Sequence, residues 1–203
     1  MKELFEKKLQ KCPLIAILRG ITPGEVPDVC DVLFSAGITL LEIPLNTPDA
    51  FNCIATAVKH CGDRQMVGAG TVLSVDDVNN VFSAGGKFII SPNTDVAVIK
   101  ETKKLKMLSI PGFFTASEGF EALKAGADYL KLFPAILGPS YIKDLKAVIK
   151  APILAVGGVN TQNLPQFLDV CSGAGIGSAI YKSGKTPAEV FAAAKSLVEA
   201  SKR

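Results

Sequence analysis

The chain has no tryptophan, a single histidine (His60) and no cysteine pair spaced as Cys-x-x-Cys. His60 ends a helix-like stretch, so neither a histidine acid–base mechanism nor a histidine-ligated metal is expected. The cysteines, Cys12, Cys30, Cys53, Cys61 and Cys171, are odd in number and fit neither a zinc pattern nor a disulfide framework. They read as free thiols of a reducing compartment. Apolar runs such as Leu14–Leu18 fall far short of the roughly 20 residues a membrane helix needs. The opening MKELFEKKLQKCP reads as a short amphipathic helical segment and not as a signal peptide. Excess charge is missing too: the net charge is +3, and the basic residues are scattered. Their densest cluster, KETKKLK at Lys100–Lys106, reads as a solvated helix face, and no nucleic-acid signature accompanies it. These absences point to a cytoplasmic protein whose partners are small anions, with no nucleic acid and no membrane among them.

What is abundant is short apolar runs closed by turn residues. They begin at Leu14, Leu40, Met66, Phe88, Leu108, Tyr129, Ile153 and Ala174. Their starts lie roughly 20–26 residues apart, the length of one strand–helix unit with short loops. Helical periodicity fills the gaps, as over Glu25–Ala36, Asp49–His60, Val75–Ala84, Ala116–Ala125 and Pro187–Ala200. Ser74 and Thr186 stand where N-caps belong, and Gly37, Gly85 and Gly126 where helices end. Eight such units over residues 1–203 leave no room for a linker or a second domain. The even spacing, with no long crossover, favours a closed barrel of the TIM (β/α)8 type over an open doubly wound sheet. The first strand also lacks a complete Gly-x-Gly-x-x-Gly turn.

A barrel presents its chemistry at the C-terminal ends of its strands. In YLKLFPA, alternation sets Lys131 with Tyr129 and Phe133 on the inner face, leaving Leu130 and Leu132 to the helices. An inward lysine is desolvated, which lowers its pKa and favours the neutral amine that attacks a carbonyl. A snorkelling lysine or a structural ion pair is the plainer reading of the same pattern. In LLEIPLN, Glu42 shares its face with Leu40 and Pro44 and also points inward, where it could exchange protons or merely pair with Lys131. Arg19 and Thr71 close the first and third strands and could hold a carboxylate or equally fill the top layer. Gly157 and Gly158 follow the seventh strand, and Gly177 and Ser178 lie in the eighth unit, where barrels commonly bind phosphate on backbone N–H groups.

These stretches together resemble the class I aldolases acting on 2-keto-3-deoxy-6-phospho sugar acids, the KDPG/KHG aldolase family. The likeness runs from IAILRGIT at Ile15 to the last strand. It takes in EIPLN with Glu42, GAGT with Thr71, ISPN with Pro92, LKLFPA with Lys131 and Phe133, AVGGV with Gly157 and Gly158, and GIGSAIY with Ser178. The resemblance implies a TIM barrel, a homotrimer, and no cofactor or metal. It implies Lys131 as the Schiff-base nucleophile and Glu42 as the general acid–base, with Arg19 and Thr71 at the pyruvyl carboxylate. Pro92 and Phe133 would line the pocket, and Gly158, Gly177 and Ser178 would receive the phosphate. Val156 stands where the gluconate-type branch carries a threonine. With LRGIT and EIPLN, it resembles the branch acting on the galactonate epimer, and the gluconate epimer is the alternative. An epimerase or isomerase would need a second acid–base group or a metal, and a non-catalytic binding barrel would have no use for Lys131 opposite Glu42.

Overall fold

The computed structural model describes residues 1–202. The short N-terminal segment is a three-turn helix, α1 (Lys2–Lys11). Strands and helices then alternate: β1 (Leu14–Ile17), α2 (Val26–Ser35), β2 (Leu40–Pro44), α3 (Ala50–Cys61), β3 (Met66–Gly70), α4 (Val75–Ser83), β4 (Phe88–Ile90) and α5 (Val96–Lys104). The second half runs β5 (Leu108–Ile110), β6 (Gly112–Phe113), α6 (Ala116–Ala125), β7 (Leu130–Leu132), α7 (Gly138–Val148), β8 (Ile153–Val156), α8 (Leu164–Leu168), β9 (Gly173–Ile176) and α9 (Pro187–Ser201).

The strands pair in parallel in the order β5-β4-β3-β2-β1-β9-β8-β7-β6. Its two ends, β5 and β6, are consecutive in the chain and separated only by Pro111. Proline brings no N–H to a ladder, so what the sequence presents as one fifth strand is two short pieces. Closure comes from the neighbouring strand: the Lys131 N–H donates to the Pro111 carbonyl at 2.9 Å, and the Tyr129 N–H to that of Ser109 at 3.2 Å. The nine strands therefore make an eight-fold barrel with a bend in its fifth position.

Local signals act where they were read. Ser74 Oγ accepts from the Asp77 N–H at 3.1 Å, and Thr186 forms a capping box with Glu189 ahead of Pro187. Gly37, Gly85 and Gly126 all take positive φ at helix ends. Among the described residues no helix is long and apolar enough to cross a membrane.

The core has two layers. Outward strand residues such as Leu41, Ile43, Leu130 and Leu132 pack with the helix ring. Inside the barrel, Ile15, Leu40, Met66, Phe88, Tyr129 and Leu154 form a separate cluster plugged from below by Phe5 and Leu9 of α1. Phe5 meets Phe88 and Tyr129 edge-on, with ring centroids 5.6 and 5.2 Å away. With its lower end filled by apolar side chains, the barrel leaves its upper end for polar groups.

Candidate active site

Above that plug the inner face changes character. Glu42 comes two residues after Leu40 and Lys131 two after Tyr129, so both keep the inward parity of the plug. They are only 2% and 6% exposed. Burial pushes the Glu42 carboxyl up; the positive charges of Lys131 and Arg19 oppose that. Burial likewise lowers the Lys131 ammonium, the Glu42 charge holds it up, and Arg19 lowers it further. Each group is thus driven towards its neutral form. No ion pair joins the two among those of the described residues, and Glu42 Oε2 is buried without a hydrogen-bond partner. A structural Glu–Lys pair would have satisfied that oxygen. The Lys131 Nζ instead lies 4.7 Å from the centroid of the Phe133 ring.

Room for the carboxyl comes from β3. A side chain at Gly70 would overlap Glu42 Oε1, so only glycine lets the two strands stand side by side with the acid between them. The next residue, Thr71, adopts φ +55°, a left-handed conformation rare for a β-branched residue and of the kind that collects at functional sites.

Over this pair opens a cavity of about 540 Å³. Seven of the residues singled out from the sequence line it: Arg19, Phe133, Val156, Gly157, Gly158, Gly177 and Ser178. Lys131 and Glu42 are not in its wall; Phe133, which is, lies against the Lys131 Nζ. Thr71 and Pro92 stand half-buried just past β3 and β4, outside the cavity wall. His60 lies elsewhere, at the end of α3, bonded to Asp31 at 2.9 Å.

The glycine pair after β8 has φ +98° and +77°, backbone that a larger residue adopts only with strain. Asn160 and Asn163 brace this turn. The Asn163 side-chain amide donates to the Gly158 carbonyl at 2.9 Å, and its carbonyl oxygen accepts from the Asn160 N–H at 2.8 Å. The sequence reading did not single out Asn160, Lys182 or Ser183, all of which line the cavity. The Asn-x-x-Asn spacing was the available signal for the brace, whereas a lysine in a polar loop carries none. Among the described residues no three histidine, cysteine or acidic side chains gather as a metal-ligand cluster.

A family profile described as KDPG and KHG aldolase matches residues 5–193. The chain belongs to that family. A 2-dehydro-3-deoxy-6-phosphogalactonate aldolase of Escherichia coli K12 is 43% identical, covering 94% of this chain and 95% of its own. A solved native KDPGal structure superposes with a TM-score of 0.91 at 43% identity, covering 94% of each chain. A more distant relative, the Legionella pneumophila KDPG aldolase, superposes with a TM-score of 0.83 at 26% identity, over 96% of this chain and 95% of its own. In that structure pyruvate is captured as a covalent carbinolamine. The KDPG and KHG aldolases are aldehyde-lyases, and this chain is an enzyme of that class.

Proposed function

We propose that this aldolase cleaves 2-keto-3-deoxy-6-phosphogalactonate to pyruvate and D-glyceraldehyde 3-phosphate through a Schiff base on Lys131. The observation that carries the reading is the desolvated pair: an inward amine and an inward carboxyl, each shifted towards neutrality, with no ion pair joining them. A neutral amine is the nucleophile that carbonyl addition needs, and a protonated carboxyl can donate to the departing hydroxyl.

Lys131 attacks the C2 ketone to give a carbinolamine. Glu42 protonates its hydroxyl, which leaves as water, and the iminium forms. Glu42, now a carboxylate, takes the C4 hydroxyl proton as the C3–C4 bond breaks; the electrons of that bond pass into the iminium to give an enamine, and the phosphorylated aldehyde departs. Glu42 returns a proton to C3, and water releases pyruvate. Arg19, whose charge bears on both Glu42 and Lys131, holds the carboxylate end with Thr71, while Pro92 and Phe133 pack against the pyruvyl unit. The N–H groups around Gly157, Gly158, Gly177 and Ser178 receive the phosphate. The galactonate epimer is favoured by Val156, which puts a methyl in the cavity wall where a hydroxyl would mark the gluconate type, and by the 43% identical relative.

The free thiols suit a reducing cytoplasm. Burial raises Cys12 to about 11 and Cys171 to about 12, which leaves them unreactive. The family resemblance assigns a homotrimer, for which exposed Leu73, Phe82 and Ile136 offer apolar contact area.

Borohydride reduction in the presence of pyruvate, followed by peptide mass spectrometry, tests the reading. The adduct is expected on Lys131 in the parent and nowhere in Lys131→Met. An adduct retained by the variant would overturn the assignment. No adduct in the parent would favour an isomerase or a binding barrel instead.

A further inference from the structure

The cavity above Glu42 and Lys131 is lined by fifteen residues, and none of them is acidic. Two are cationic, Arg19 and Lys182. They are not equivalent. Arg19 follows β1, whose Ile17 pairs with Glu42, and its charge bears on both Glu42 and Lys131, whereas Lys182 stands six residues beyond the end of β9. A substrate with a carboxylate at one end and a phosphate at the other has two anionic ends to place. We propose that Lys182 is the phosphate-end cation, a specificity-determining residue that selects phosphorylated over unphosphorylated substrate. This rests on the aldolase reading above.

The loop that carries Lys182 is built to present it. Gly177 accepts from the N–H groups of Ile180 and Tyr181 at 2.9 and 3.0 Å, which winds residues 177–181 into a turn. Tyr181 is buried, and its hydroxyl donates to Glu25 at 3.2 Å, tying the turn to the segment after β1. A second lysine, Lys185, is engaged by the loop itself, its ammonium donating to the Ile180 carbonyl at 3.0 Å. The Lys182 side chain makes no hydrogen bond or ion pair to any described residue and stands exposed at the rim of the cavity. It follows Ser178 by four residues on the same braced turn. Backbone N–H groups contribute only partial charge, so a phosphate dianion held by glycines alone would be left short of a full positive charge. A lysine at the rim supplies it as a compact point charge.

The test is kcat and KM for Lys182→Met, Lys182→Arg and the parent, each with the phosphorylated substrate and its dephosphorylated counterpart. For Lys182→Met the expected result is a KM for the phosphorylated substrate raised roughly 3- to 10-fold, as for a rim-exposed charge contact. The ratio of kcat/KM between the two substrates should fall by the same factor, and arginine should restore it. The KM of the parent should also climb more steeply with salt than that of the methionine variant. An unchanged ratio, or equal losses on both substrates, would overturn the proposal and make Lys182 an ordinary surface lysine. Proton exchange at C3 of pyruvate, measured on the parent, reports separately on the Schiff-base reading. Exchange in the parent with an unmoved ratio sinks only the role of Lys182, while no exchange sinks the chemistry beneath it.

Discussion

At position 156 the difference between two substrate epimers comes down to a methyl group against a hydroxyl. Val156 is 6% exposed, lines the cavity and packs over Gly175, where a side chain would stand 2.9 Å from its Cγ2. Threonine has nearly the same shape, so Val156→Thr should fold, at the cost of placing a hydroxyl against an apolar wall. One hydrogen bond to a substrate hydroxyl contributes about 0.5–1.5 kcal/mol. The kcat/KM ratio should therefore move towards the gluconate epimer by roughly 2- to 13-fold, at about 1.4 kcal/mol per factor of ten. Coupled assays on both epimers read it directly, and an unmoved ratio would show that another residue sets the choice. Residues of this kind were legible because their side chains carry the chemistry. The inward parity of Glu42 and Lys131 followed from the two-residue period of a strand. What the sequence could not show was the partner that makes room. Gly70 matters through the side chain it lacks, and Thr71 through a backbone angle that no residue name encodes.

Among the elements, α1 shows how a weak pattern can hide a structural part. Its charged sequence suggests only a short amphipathic segment, yet Phe5 and Leu9, one turn apart, close the bottom of the barrel. Phe5→Ala would open a void beneath Phe88 and Tyr129, and a phenylalanine-to-alanine change in a core typically costs about 3–5 kcal/mol. Denaturant unfolding should show that loss in the midpoint, while kcat/KM in native buffer, set at the far end of the barrel, changes far less. A midpoint within experimental error of the parent would mean that α1 is not part of the cooperative fold. Long helices with clear caps, such as α6 and α9, were readable to within a residue or so of their ends. The five-residue α8 was not readable as an element of its own, being too short for a helical period to declare itself. The break between β5 and β6 was signalled by Pro111, but only the pairing partner shows that the barrel still closes there.

For the whole molecule, the buried acid and amine are a standing cost. Glu42 has a raised pKa in the folded chain. Stability therefore falls as pH climbs from the ordinary carboxylate range through the raised value, and the penalty is complete above it. Lys131 has a lowered one. Its penalty is complete below the folded pKa and fades as pH rises towards the ordinary lysine value of about 10.4. Replacing both groups, in Glu42→Gln with Lys131→Met, should remove both slopes. Removing buried groups whose charged forms folding penalises relieves that cost, so the change should be neutral or stabilising, by roughly 1–4 kcal/mol at most. In a chain of this length each kcal/mol corresponds to about 2–4 °C in Tm. The double variant should accordingly be inactive, and it should melt at or above the parent temperature at neutral pH, with a flatter Tm-against-pH curve. A clearly lower Tm would mean that the pair stabilises the fold after all.

The bond from Lys131 to Pro111 couples assembly to chemistry. The backbone N–H of the residue that carries the reactive amine is itself one of the links across the bend where the barrel closes. A slip of one residue at that seam would turn the Lys131 side chain out among the helices and bring a leucine in. A wrongly zipped barrel is thus not a slower enzyme but a dead one. Imperfect refolding would then divide a population into fully competent and wholly silent molecules, with no intermediate grade of catalyst between them.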